Sequence, residues 1–336
     1  MGQINLIRSL PGQGLDDTVN VFLEKYQRNP FGTVLILPSP AIRDEIKRRL
    51  VERRIPIFGV SICTLEELAQ YFFDSLNRSD SRLDNYTNEL ILLKVLEENR
   101  HKVRLFDGAW GTAQAIVPEI RAFLDTINDF QVDYPQCLGD LQSRRSEQLT
   151  ITLDLYDEFL SSNHLIDTGR MFEWVTDAIK QGAVRIDHAI FYGFHEPKPV
   201  EKELIQAISG ITNEVQYYIP YVRGCKAFSD DGSWLTFQHL EEVKGTGEDE
   251  TITSLYSHSS RQHLDKIVKG VFRDPLDEMR AVAREIRSLI SSGVEPGKIA
   301  IMLPLRSKAT PLVREVLDDY GIPYNVHLKT SLSESP

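Results

Sequence analysis

The chain has 336 residues, 41% hydrophobic and 26% charged, with 38 Lys and Arg against 49 Asp and Glu for a net charge of −11. This is globular composition, and a chain of this length buries enough apolar surface to fold without disulfide or metal staples. The acid excess counts against a general nucleic-acid coat, since phosphates attract positive surface, but leaves room for a local basic groove because charges are screened within about 8–10 Å.

The first 76 residues alternate strand and helix. Gln3–Arg8 reads as a strand, and Asp16–Gln27 as a helix with Val19, Phe22, Leu23 and Tyr26 on one face. Thr33–Pro38 is nearly all apolar, the mark of a parallel strand buried on both faces. Ala41–Arg54 spaces Ile42, Ile46 and Leu50 for a helix, and Gly59–Cys63 reads as a strand. Thr64 then caps a helix through Leu65, Leu68, Ala69 and Phe72, with Glu67 completing a capping box. Strands and helices alternating at this spacing indicate a parallel sheet.

From residue 81 to 182 the period becomes helical, in Asn88–Glu98, Ala113–Asn128, Gln148–Leu160 and Arg170–Gln181, and an all-helical insertion is expected. The sheet pattern returns with strand His188–Gly193, helix Val200–Ile208 and strand Glu214–Pro220. Arg223–Gly270 is less regular, and Gly245–Thr251 reads as a solvated acidic loop. Asp274 and Pro275 open a helix that Gly293 stops. Strand Lys298–Leu303, helix Pro311–Tyr320 capped by Gly321, and strand Ile322–His327 follow. One such unit gives little sheet, so the chain is expected to be a truncated piece.

Cys63, Cys137 and Cys225 are odd in number and widely spaced, which fits reduced thiols. No apolar run approaches the roughly 20 residues that span a bilayer, and no leader pattern precedes Ile4. The expectation is a cytoplasmic protein without a membrane partner.

The turn after the first strand, Ser9-Leu10-Pro11-Gly12-Gln13-Gly14-Leu15-Asp16-Asp17-Thr18, stands where a phosphate loop would sit. A working loop needs glycines to wrap the phosphates, a lysine for their charge and a hydroxyl for Mg²⁺. Aligning Thr18 with the hydroxyl puts Asp17 at the lysine, and the first lysine is Lys25. A charge pair at 4 Å is worth about 4 kcal/mol at an effective dielectric near 20, so exchanging attraction for repulsion shifts the balance by up to roughly twice that. A helix N-terminus offers only about half a charge in return. The turn therefore reads as an ordinary Gly/Pro turn capped by Asp16 or Asp17, and no ATP or Mg²⁺ is expected in this chain.

Arg43, Lys47 and Arg54 fall within about 40° on an ideal helix, a basic stripe for DNA phosphates or else a solvated face shared with Asp44, Glu45 and Glu52. Ser39 and Thr64 are phosphate donors or helix caps. Tyr217, Tyr218 and Tyr221 are base-stacking or core residues. His195-Glu196 has no second ligand pair at metal-site spacing, so no metal site and no catalytic residue are assigned.

On the turn, the interrupted sheet and the unit from Phe272, the chain resembles the superfamily-1 helicases of the UvrD/RecB class, and most of all the AddB/RecC-type subunits of helicase–nuclease complexes. Thr33–Leu50 resembles the family's strand and helix that contact DNA backbone, and Thr64–Leu68 its Thr-containing segment near DNA. Asp187–Ile205 resembles the acidic motif II strand and helix, with Gly193-Phe194 where working motors have Asp-Glu. Pro275–Ile286, Ile299–Ile301 and Tyr320–Tyr324 resemble the opening of the second motor domain.

The resemblance implies a RecA-like, P-loop NTPase-like α/β fold. Residues 1–80 and 183–270 would form the first RecA-like domain, 81–182 a helical insertion, and 271–336 the start of a second RecA-like domain. The family as a whole is ATP-dependent helicase and exonuclease, but this chain lacks both sets of motor residues, and the family's nuclease domain and iron–sulfur cysteines lie beyond it. The implied role is a non-hydrolysing subunit that guides single-stranded or forked DNA in double-strand break repair and recombination, next to a partner helicase–nuclease subunit. The alternatives are a nucleotide-binding motor with an atypical phosphate loop, and a protein-interaction scaffold without DNA contact.

Overall fold

The computed structural model describes residues 3–10, 14–57, 59–76, 79–103, 113–140, 143–222, 228, 232–242, 268–303 and 309–325. Gly12, Cys225 and the expected loop Gly245–Thr251 lie outside them. The chain divides into two units, Met1–His263 and Leu264–Pro336.

In the first unit β1 (Gln3–Ser9), α1 (Leu15–Arg28), β2 (Thr33–Leu37), α2 (Pro40–Glu52), β3 (Ile62–Thr64) and α3 (Leu65–Leu76) open the chain. There follow β4 (Ser81–Arg82), α4 (Asn85–Glu98), α5 (Ala113–Phe130), α6 (Tyr134–Asp140), α7 (Arg144–Ser162), β5 (Leu165–Ile166) and α8 (Thr168–Lys180). Last come β6 (His188–Tyr192), α9 (Pro199–Ile211), β7 (Glu214–Pro220) and β8 (His239–Glu242). Six strands pair in the order β3-β2-β6-β7-β1-β8, every described pairing parallel. This is an α/β fold with the expected parallel sheet, consistent with a RecA-like core.

Period-two alternation decides which helices cover which face. Leu35, Leu37, Ile190, Tyr192 and Tyr218 point to the α1 and α2 side, where Phe22, Ile46 and Leu50 bury against them. Val34, Ile36, Ala189, Phe191, Val215 and Tyr217 point the other way, into a larger core with α3, α8 and α9. Every residue of β2 is buried, as a strand covered on both faces requires.

Between β3 and β6 the structure departs from a purely helical reading. β4 and β5 form a two-residue parallel pair, Ser81 with Leu165 and Arg82 with Ile166, too short to leave a period in the sequence. α4, α5, α6 and α7 share a core around Leu92, Leu96, Leu153 and Leu160, in which the Tyr156 hydroxyl donates to Asn88 Oδ1 at 2.5 Å. α8 instead buries Met171, Phe172, Val175 and Ile179 in the sheet's core. β8 arises in the irregular stretch after β7. His239-Leu240-Glu241-Glu242 lacks strand alternation, but lies in register beside β1.

At the amino-terminal end of the strands a polar latch joins three connections. Asn29 Oδ1 accepts from the Gly32 N–H at 3.0 Å, while its amide donates to Asp187 Oδ2 at 2.8 Å. Asn213 donates to Asp187 Oδ1 at 3.0 Å, and the Asp187 and His188 N–H groups donate to the Gly32 carbonyl at 3.0 and 2.9 Å. A Cβ on Gly32 would crowd the ends of the Asn29 and Asp187 side chains, so a larger residue there would displace this pair. The Asn29 hydrogen bond, helped by Arg185, holds the Asp187 carboxyl below its ordinary range. Its contribution to stability is then complete above the unfolded pKa of about 3.9 and is lost as pH falls through the lower folded value. Asp187→Asn should lower the urea midpoint at pH 7 and flatten its decline toward pH 3. Parallel declines in the variant and parent would exclude Asp187 as the acid-sensitive group.

The second unit holds α10 (Pro275–Ser291) and α11 (Thr310–Asp319), packed through Ala283, Ile286, Val313, Val316 and Leu317. Asp274 caps α10 as expected, its carboxylate accepting the Asp277 N–H at 2.8 Å. The expected strands at Lys298–Leu303 and Ile322–His327 do not form over their described residues. Pro296–Lys298 is a 3-10 turn, and the residues that follow have no ladder partner among those described. A buried-strand sequence becomes a strand only beside another.

Candidate functional site

Parallel strands bring the nominated segments that follow β1, β2, β3 and β6 to one edge, the carboxyl-terminal end of the sheet. β2 leads into α2 on one face while its neighbour β6 leads into α9 on the other. Such a divergence opens a crevice where α/β folds place ligands.

At the β1–α1 turn Gly14 has φ 78° and is the N-cap of α1, with no side chain capping the helix. The expected cap by Asp16 or Asp17 does not form, because both lie inside the helix's first turn. A Cβ on Gly14 would meet Ser9 Oγ at 3.4 Å. Thr18 is fully buried, and its hydroxyl donates to the Gly14 carbonyl at 2.6 Å. It is thus turned back into the first turn of the helix. Asp17 is exposed. Asp16 is 75% exposed, 3.3 Å from Arg49. Burial pushes the Tyr218 phenol up to about 12, and the negative charges of Asp17 and Glu241 add to the shift. Burial, and to a lesser degree the charge of Asp16, also raises the Tyr192 phenol above its ordinary range. Lys25 is held to Glu214 at 2.6 Å, roughly 12 Å along the helix from Asp17.

At the end of β6 Gly193 has φ 79° and donates its N–H to the Tyr218 carbonyl at 3.1 Å. A Cβ there would lie 3.6 Å from Pro38. Phe194 is buried, its ring 6.1 Å from Phe191 and 6.4 Å from Tyr217. The chain thus turns an aromatic ring into the core just after β6.

The basic stripe divides. Arg43 is only 18% exposed and holds Asp44 at 2.7 Å and Glu67 on α3. Glu67 Oε2 also accepts the Thr64 N–H at 2.9 Å, and Thr64 Oγ1 accepts the Glu67 N–H at 3.2 Å. This is the capping box read in the sequence, with Arg43 clamped onto it. Ser39 caps α2, accepting from Ile42 N–H at 3.5 Å. Lys47 is exposed, and its charge and that of Arg43 oppose the burial that pushes the Cys63 thiol up to about 12. Arg54 does not continue the stripe. α2 ends at Glu52, and Arg54 turns left-handed with φ 57°. Glu52 already lies roughly 14 Å beyond Arg43 along the axis, so Arg54 follows toward the opposite end of the sheet. Helical-wheel angles cannot register a helix that stops early.

Tyr217 and Tyr218 are core residues on opposite faces. Tyr221 lies under the Arg8 guanidinium, 4.5 Å from ring centroid to carbon. The His195 ring packs 4.8 Å from Phe228, and Glu196 has φ 48°. Among the described residues no three His, Cys, Asp or Glu side chains converge on a metal position, and no helix is long and apolar enough to cross a membrane. The Arg43–Glu67 and Asp16–Arg49 pairs were hidden in the sequence, since each joins residues on different helices.

No family model matches the chain. It is similar to one of the subunits of the ATP-dependent helicase/deoxyribonuclease of Staphylococcus saprophyticus, with 20% identity over 358 aligned residues. The alignment covers 93% of this chain and 30% of that protein. The chain thus spans about a third of the length of the curated relative it matches.

Proposed function

We propose that this chain is a non-hydrolysing, helicase-like part of a helicase–nuclease assembly, guiding a DNA strand for a partner subunit that turns over ATP. In this reading the helices between β4 and β5 are an insertion into a first RecA-like domain, and α10 and α11 begin a second. The similarity to a helicase/deoxyribonuclease subunit supports the assembly. What supports the non-hydrolysing part is the β1–α1 turn, where Asp16 and Asp17 lie in the first turn of α1, no lysine precedes Lys25, and the Thr18 hydroxyl donates to the Gly14 carbonyl. The same edge has Phe194 buried in place of a carboxylate. Lys47, exposed on α2, would meet the DNA backbone.

Titration calorimetry with Mg-ATP should show no binding tighter than about 100 μM, roughly −5.5 kcal/mol. Fluorescence anisotropy with forked DNA should show binding that Lys47→Glu weakens and that falls steeply with salt. Tight ATP binding would instead favour a motor with an atypical loop, a reading helped by the uncapped start of α1. DNA binding indifferent to Lys47 would remove the strand-guiding role at this edge and leave a scaffold without DNA contact there.

A further inference from the structure

The opposite, amino-terminal end of the sheet carries a feature that the strand-guiding role does not use. Phe31 is 96% exposed, yet its turn is firmly held. Asn29 Oδ1 takes the Gly32 N–H at 3.0 Å, Ser61 Oγ donates to the Pro30 carbonyl at 3.3 Å, and Asn29 is fixed to Asp187 at 2.8 Å. α2 returns the chain to this same end, bringing the exposed Arg53 and Arg54 and Val51, which is 74% exposed. Arg28 is 72% and Arg185 84% exposed on the same rim.

The acids of this rim are already engaged. Glu24 holds Arg28 at 2.9 Å, Glu52 holds Arg48, Glu214 holds Lys25 at 2.6 Å, and Asp187 is shared by Asn29, Asn213 and Arg185. Among the described residues Arg53 and Arg54 make no ion pair. A chain of net charge −11 thus places Arg53 and Arg54, exposed and without an ion pair among the described residues, at the same end of the sheet as one exposed aromatic ring.

We propose that this rim binds single-stranded nucleic acid, Phe31 stacking on a base while Arg53 and Arg54 engage flanking phosphates. A ring on a pre-ordered turn stacks without a further ordering cost, and base faces are open only in a single strand. Arginine presents a planar fork that pairs with phosphate oxygens two at a time. An acidic protein surface would satisfy the charges but would not need the ring.

The test uses the whole chain and a fluorescein-labelled oligothymidylate of about 15 nucleotides, the upper range of a single-strand site. Phe31→Ala should weaken binding about tenfold or more. It should not unfold the protein, because the ring touches little. Arg53→Ser with Arg54→Gly should lower the slope of log affinity against log salt by about 1.4; glycine adopts the left-handed turn freely, so charge is removed without strain. Photocrosslinking of an iodouracil-substituted strand should mark the Pro30–Gly32 peptide. Equal affinity of Phe31→Ala and parent, or crosslinks confined to other peptides, would overturn the proposal. Loss in Lys47→Glu with no change in Phe31→Ala would overturn it too, while leaving the carboxyl-edge reading standing.

Discussion

Phe191→Ala is expected to cost about 3–5 kcal/mol of folding stability, the range for deleting a fully buried aromatic ring. Phe191 is fully buried in β6, in register with Ile36 on one side and Tyr217 on the other. Its ring lies 5.5 Å from Tyr217 and 6.1 Å from Phe194. The deletion therefore opens a cavity at the centre of the larger core, where strands on both sides prevent collapse. Urea unfolding measures it, and a loss below about 1 kcal/mol would mean the ring is not packed as described.

The second large effect concerns how α5 meets α8. A Cβ added to Gly169 would lie 2.4 Å from both Cβ and Cγ of Asn128. Contact with Cγ could be relieved by rotating the side chain, but Asn128 Cβ is fixed to the α5 backbone, so one helix must move. Gly→Ala in a helix gains about 1 kcal/mol in propensity, while overpacking costs about 1–3 kcal/mol, and a contact this short belongs at the upper end. Gly169→Ala is thus expected to be destabilising by about 1–2 kcal/mol net. The second-site pattern is the sharper readout. Asn128→Ala keeps the offending atom and should not rescue Gly169→Ala, whereas Asn128→Gly should restore part of the loss. Rescue by alanine as good as by glycine would rule out the backbone clash.

What the sequence made legible follows from how local its physics is. The apolar run Thr33–Leu37, the Thr64–Glu67 capping box and the Asp274 cap each depend on neighbours within a few positions, and each forms as read. In the turn after β1 the residue types, Asp16, Asp17 and no lysine before Lys25, are plain in the chain. The turn's hydrogen bonding is not, for Thr18 is committed by the fold's choice of Gly14 as cap. Arg43 and Arg54 show the limit most clearly. Their shared face on an ideal helix says nothing of Glu67, reached across to α3, or of a helix that ends at Glu52. β8 and the β4–β5 pair are held by distant partners rather than by strand-forming residues, so no local pattern marks them.

The pairing of Gln3 with Glu214 and of Ser9 with Pro220 has a consequence for how the chain is made. At a synthesis rate of about 5–20 residues per second, β1 waits on the order of 10–40 s after leaving the ribosome before its parallel neighbour exists. β2 likewise precedes β6, its inner partner, by a long interval. The helices from α4 to α7 have a core of their own and can mature during that delay. The opening strands meanwhile keep bare edges, the condition under which strands mispair, and such distant pairing also slows the final closure of the sheet.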